Sequence, residues 1–262
     1  MMTRRAAVSL SCAGLAVLLV SCAAASPSPG DARRGGSEPA GTVTVFAAAS
    51  LTETFDALAR EFESEHPGVE VVLNYGGSSG LAAQLVEGAA ADVFAAASEA
   101  TMATVVEAGL VVEPRAFASN ALELVVPRGN PAGVRGLADL ARPELLVALC
   151  DPSVPCGAAA EELLALAGVA ASPDTLEQDV KAVATKVALG EVDAGFVYAT
   201  DARAAGDALE SIPVVGADRV VTRYVIGRLG ASGHPEAAEA WIAWVEGARG
   251  GEVLRDAGFG SP

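Results

Sequence analysis

The stretch "NYGGSSGLAAQL", residues 74–85, holds Gly76, Ser78 and Gly80 in the G-x-S-x-G spacing of a hydrolase nucleophile elbow. It follows a strand-like run, "VEVVL", and leads into a helix-like one. An attacking serine needs a base, and downstream of Ser78 that means His234. His234 stands just before Pro235 at a helix start, and the glycine-rich oxyanion motif is missing upstream. A secreted serine hydrolase using Ser78 and His234 is thus an alternative with half its parts. Metal chemistry has less to build on. The chain has two histidines, His66 and His234, far apart in sequence, with no C-x-x-C and no H-E-x-x-H. Both read as solvated surface residues, so no metal-ion ligands are expected. "GGSSGLA" lacks the Lys-Ser/Thr of a phosphate loop and does not spell G-x-G-x-x-G, so no nucleotide cofactor is expected either.

The other reading pairs Ser78 with Ser50. Each stands where a strand gives way to a helix, at the carboxyl end of the strand, where open α/β sheets bind ligands. A helix start carries spare N–H groups and a partial positive charge. Two such starts facing one cleft form an anion site without lysine or arginine. Taken singly, either serine is an ordinary helix cap. The charge balance makes this reading useful. Without Arg4 and Arg5, 15 basic residues face 33 acidic ones, a formal −18. Such a surface repels nucleic acid, and an anionic ligand would have to be held by local donors.

The elements that must position these residues alternate along the chain. "TVTVFAAA" reads as a strand and "SLTETFDALAREFESEH" as a helix, with Phe55, Leu58, Ala59 and Phe62 on one face. Ser50 and Glu53 spell a capping box. "VEVVLNY" is a strand, "GLAAQLVEG" a helix, "ADVFAAA" a strand and "SEATMATVVEAGL" a helix capped by Ser98. Further on come the strands "ALELVVPRGN" and "LLVALCDP", then the helix "GAAAEELLALAG" and a helix over "DVKAVATKVALGE" capped by Asp179. "VDAGFVYAT", "SIPVV" and "RVVTRYVIGRL" are strands, and two helices close the chain. Trp241 and Trp244 are expected to pack, not to stack on a ligand. The alternation implies a mostly parallel sheet covered on both faces.

The ends place the protein. Residues 1–21 pair a basic start, "MMTRR", with the 15-residue apolar run "AAVSLSCAGLAVLLV". That is short for a spanning helix and right for an export signal. "LVSC" then looks like the lipobox of bacterial lipoproteins, which makes Cys22 the lipidated first residue of the mature chain. Residues 22–41 are rich in Ala, Ser, Pro and Gly and read as a tether with a reach of roughly 25 Å. Export permits a disulfide. Cys150 and Cys156, in "ALCDPSVPCG", are either reduced and buried or bridged, and Pro152 and Pro155 favour the bridge by bending the chain.

"VTVFAAASLTETF", "NYGGSSGLAAQLVEGAAADVFAAAS", "VPCGAAAEELL" and "DVKAVATKVALGEVDAGFVYATDA" together resemble the molybdate-binding proteins of bacterial ABC transporters. The resemblance implies an α/β type II periplasmic-binding-protein fold: two lobes joined by crossover strands, with a ligand cleft between them. It places lobe one at 42–120 and 219–262 and lobe two at 121–218. By position it assigns oxyanion binding to Ser50, Ser78, Cys156, Val180 and Tyr198. Cys156 stands where the family commonly has alanine and would contribute its N–H. The implied ligand is molybdate or tungstate, and the implied partners are a membrane permease and its ATPase subunit. The implied protein is a lipid-anchored, extracytoplasmic monomer with no cofactor and no enzymatic activity. A receptor for another oxyanion such as sulfate is the nearer alternative.

Overall fold

The computed structural model describes residues 39–262. The export signal, Cys22 and most of the tether lie outside the described residues. Among the described residues no helix is long and apolar enough to cross a membrane.

The chain opens with β1 (Gly41–Ala48), α1 (Thr52–Glu65), β2 (Val69–Gly76), α2 (Ser78–Val86), β3 (Val93–Ala96) and α3 (Glu99–Glu107). A long strand, β4 (Val111–Pro127), leads to β5 (Val147–Cys150), α4 (Pro155–Ala167), β6 (Thr175–Glu177) and α5 (Val180–Ala188). β7 (Ala194–Tyr198), α6 (Ala199–Ala205) and β8 (Leu209–Ile212) follow. β9 (Val221–Leu229), α7 (Pro235–Glu246) and α8 (Ala248–Ala257) complete the chain.

Strand periodicity explains the first half. Successive side chains of a strand point to opposite faces. Val43, Val45 and Ala47 of β1 therefore join one core with Phe55, Leu58 and Phe62 of α1 and Trp241, Ile242 and Val245 of α7. Phe46 of β1 and Phe94 of β3 join another, with Leu81 and Leu85 of α2 and Met102 and Val105 of α3. One sheet is thus covered on both faces. The second half has its own core, built from residues between Leu122 and Val220. Trp241 is fully buried and meets Phe55 and Phe62 edge-on at 5.6 and 5.5 Å. His66 is not a free surface histidine: its ring lies 4.4 Å from that of Phe62 and packs on Trp244.

The strands run in the order β2-β1-β3-β9-β4-β7-β5-β6, with β8 on β4. The parallel pairs are β1 with β2 and β3, and β5 with β6 and β7. Every antiparallel pair involves β4 or β9. The sheet is therefore mixed, not mostly parallel as alternation alone implied. The reason is β4, which pairs with β9 from Val111 to Ala121 and with β7 and β8 from Leu122 to Pro127. It belongs to both halves. The sequence pattern does not mark its leading stretch "VVEPRAFASN" as strand, because Pro114 and the charged residues beside it break the pattern of a core strand.

Candidate functional site

Five strand-to-helix junctions open on one cavity. Its lining is Ala48–Ser50 after β1, Gly76–Ser78 after β2, Val154–Cys156 after β5, Gln178–Val180 after β6 and Tyr198 at the end of β7, with Ala97 beside them. Ser50, Ser78, Cys156, Val180 and Tyr198 all line it, each at most 4% exposed. About 20 Å³ is available to the centre of a water-sized sphere. That is a little more than one water needs, and far below a drug-sized site.

Each junction supplies donors for a local reason. α2 starts at Ser78 and α5 at Val180, so the first N–H groups of both helices have no carbonyl one turn back to bond. α4 starts with Pro155, which has no N–H, so Cys156 carries the first amide of that helix. Asp179 is the one charged residue in the lining, and its carboxylate is turned onto α5, where it accepts from the Ala182 N–H at 2.9 Å. No lysine, arginine or histidine lines the cavity. The positive end of the field comes from helix starts, each worth about half a charge.

Ser50 does not behave as its sequence pattern implied. Residues 49–51 form a short 3₁₀ turn, and α1 begins at Thr52 with no side-chain cap. The expected capping box is absent because both of its members are engaged elsewhere. Ser50 Oγ lies 2.7 Å from Tyr224 Oη, and Glu53 meets Lys181 Nζ at 2.7 Å. Ser78 Oγ accepts from the Ala97 N–H at 3.0 Å, so its own proton is free to be given away. Ser79 takes a different part, donating to the Ser153 carbonyl at 2.8 Å.

Tyr198 is fully buried, and its hydroxyl has no well-formed hydrogen bond within the protein. Burial, with the Asp201 charge behind it, pushes the Tyr198 hydroxyl well above its ordinary value and keeps it protonated. A buried donor without a partner, aimed at a cavity lined by helix starts, is a mark of a site for an acceptor.

The two halves touch around the cavity. Ser79 reaches Ser153, and Lys181 joins Glu53 across the cleft while standing 3.0 Å from the fully buried Asp201 Oδ1. Burial works to lower the Lys181 value, but the carboxylates of Asp201 and Glu53 outweigh it and hold it up. A Cβ on Gly77 would lie 2.0 Å from the Gln178 carbonyl oxygen. Only glycine lets the backbones approach this closely.

Cys150 and Cys156 form a disulfide, so the bridged alternative describes this loop. The hydrolase parts are not brought together. Ser78 bonds to the Ala97 amide, while His234 lies outside the cavity, packed against Gly41 at the start of α7. Among the described residues no three His, Cys, Asp or Glu side chains cluster to hold a metal ion. Sequence reading misses Tyr224, Lys181 and Asp201. No local motif marks them, since they meet the site only through folding.

Residues 43–260 match the family model described as bacterial extracellular solute-binding protein. The molybdate-binding protein ModA of Mycobacterium tuberculosis (strain ATCC 25618 / H37Rv) is 40% identical over 245 residues, 93% of each chain. The molybdate-binding protein ModA of Haemophilus influenzae is 34% identical over 174 residues, 62% of this chain and 67% of that one. The solved periplasmic molybdate-binding protein of Azotobacter vinelandii superposes with a TM-score of 0.71 at 23% identity, covering 84% of this chain and 99% of that one.

Proposed function

The chain belongs to the family of bacterial extracellular solute-binding proteins, and we propose that it captures molybdate, with tungstate as a near equivalent, for import by an ABC transporter. The observation that carries this reading is the shared cavity of Ser50, Ser78, Cys156, Val180 and Tyr198, which offers hydroxyl and amide donors and no free carboxylate. Molybdate carries no proton near neutral pH, so its oxygens only accept hydrogen bonds. A donor-only cavity matches it, and each bond to a charged oxygen is worth roughly 1.5–3 kcal/mol. Five such bonds support submicromolar binding after association costs. The names of the relatives point the same way.

The proposal has further parts. Lobe one comprises 42–120 and 219–262 and lobe two 121–218, a division supported by the separate hydrophobic cores. The protein works as a monomer without cofactor or catalysis, tethered through a lipid on Cys22, and hands its ligand to a permease with an ATPase subunit. Titration calorimetry with molybdate, tungstate, sulfate and phosphate tests the ligand. Molybdate and tungstate are expected to bind tightest, and Ser78→Ala to weaken both by about 10- to 100-fold. Sulfate binding as tightly as molybdate would replace the ligand with the smaller oxyanion.

A further inference from the structure

One contact across the cleft involves no residue that lines the cavity. Lys181 follows Val180, the first residue of α5, and Glu53 stands in the first turn of α1, three residues after Ser50. Neither lines the cavity, yet each neighbours a residue that does. Lys181 Nζ donates to Glu53 Oε1 and Oε2 at 2.7 Å each. The two partners are held unequally. Lys181 also stands 3.0 Å from Asp201 Oδ1, and the Asp201 side chain is fully buried. That carboxylate lies in the first turn of α6, in the same half as the lysine. It holds the ammonium in place whether or not Glu53 is near. The Glu53 side chain is 56% exposed, so water takes it back when the contact parts. One fixed end and one solvated end suit a contact that must form and break. The fixed end has already lost most of its side-chain freedom, so forming the pair costs less entropy than an ordinary surface pair.

We propose that Glu53 and Lys181 form a latch, a pair of positioning residues that hold the two halves together over a bound oxyanion and slow its escape without touching it. This rests on the oxyanion reading of the cavity and adds to it the contact that limits release. Charge gives the latch a sign that a bystander lacks. A carboxylate beside the cavity opposes a dianion. A Glu53 with no other part would therefore, once neutralised, leave the ligand bound more tightly. A latch gives the reverse, weaker binding after a repelling charge is removed. The loss falls on release, because contacts that close over a ligand act mainly on dissociation. Ser79 also joins the halves, donating to the Ser153 carbonyl at 2.8 Å, but that bond is neutral and salt leaves it alone. An ion pair this open to water is screened by salt.

The test is the release of radiolabelled molybdate into an excess of unlabelled molybdate, with affinity from calorimetry, for wild type and Glu53→Gln at low and high salt. Glu53→Gln is expected to speed release roughly three- to fivefold at low salt, with association changed by less than about twofold. At about 1 M salt the difference in release should shrink below about twofold. The unfolding midpoint without ligand should stay within about 2 °C of wild type, since the pair serves closure and not the fold of either half. The same exchange in a Lys181→Gln, Asp201→Asn background removes the lysine without stranding the buried carboxylate. There Glu53→Gln should leave release unchanged or slow it. Release that Glu53→Gln leaves unchanged or slows in the wild-type background would overturn the latch, as would equal quickening in the background lacking Lys181. A protein that holds sulfate and not molybdate would overturn the molybdate reading alone, since labelled sulfate then reads the same rates. Failure to bind either overturns both.

Discussion

The two sides of the cavity present their donors by different means. The side built from β1, β2 and β3 offers the hydroxyls of Ser50 and Ser78, and each oxygen is held by a partner behind it, Tyr224 or the Ala97 amide. The side built from β5, β6 and β7 offers the amides of Cys156 and Val180, and the Tyr198 hydroxyl. Those amides need no partner to set their polarity, because an N–H can only donate. They need instead a backbone held in place. Pro155 and the disulfide serve α4, and the Asp179 cap serves α5. A hydroxyl wall must have its protons directed, whereas an amide wall must have its chain fixed. The contrast teaches that a site with no cation in its lining spends its design on whichever of the two its donors leave free.

The contact between the walls is the largest lever. Gly77 has φ −61° and ψ 127°, values that alanine adopts freely, so a Cβ there strains nothing within its own wall. It collides only with the Gln178 oxygen opposite. Gly77→Ala is therefore expected to prop the walls apart. Molybdate affinity should weaken by roughly 100-fold or more, equivalent to about 2.7 kcal/mol, while the unfolding midpoint without ligand stays within about 2 °C. Gly157→Ala is the control from inside the other wall. Its Cβ would meet the Asp151 oxygen at 1.9 Å, within the same half, so it should lower the midpoint even without ligand. Equal loss of stability in both variants would show that Gly77 serves its own wall and not the approach of the two.

Breaking the disulfide asks how much fixing the amide wall needs. The bridge closes a ring of about seven residues, worth roughly 2 kcal/mol through the unfolded chain. Other bonds hold the same loop: the Asp151 N–H to the Glu177 carbonyl at 2.8 Å, and the Val154 N–H to the Asp151 carbonyl at 3.0 Å. The Ser153 N–H also donates to the Asp151 carboxylate at 2.9 Å. The Cys150→Ser, Cys156→Ser double variant should therefore lose about 2 kcal/mol in denaturant unfolding and less than about fivefold in molybdate affinity. A loss of affinity as large as that expected of Ser78→Ala would mean that the bridge, and not the loop's hydrogen bonds, aims the Cys156 amide.

What could be read in the sequence follows the same division. Ser78, Cys156, Val180 and Tyr198 sit at strand-to-helix junctions, whose periodicity change, proline or capping residue is written within a few positions. Short-range patterns reveal such places, and the family resemblance then assigns them. Ser50 lines the shared cavity, but the S-x-x-E pattern that marks it in the sequence implies a helix cap that the fold does not use. The partners of these side chains leave no mark in the local sequence. Tyr224 is 174 residues from Ser50, and Lys181 is 128 from Glu53. Pairings at that distance leave no local period. β4 was half missed because a strand shared by two cores lacks the continuous apolar run of either one alone.

The smallest expected effect concerns a charge behind the amide wall. Asp201 is fully buried, and burial pushes its carboxyl up to about 6 despite the neighbouring Lys181, with Glu53 adding to the rise. Its value in an unfolded chain is about 3.9. Between these two values the folded protein holds a proton that the unfolded chain has released. Stability from this group is therefore complete below about pH 3.9 and is lost as pH rises through about 6. The amount is about 3 kcal/mol at most, about 1.4 kcal/mol for each unit between the two values. Asp139, Glu144 and Asp151 have lowered values and pull stability the other way in acid, but they are common to any variant. Subtraction removes them. The unfolding free energy of wild type minus that of Asp201→Asn should become more positive as pH falls from about 7 to about 4. A flat difference would mean that Lys181 holds Asp201 ionised throughout, which would make that ion pair, and not the Glu53 contact across the cleft, the chief business of the lysine.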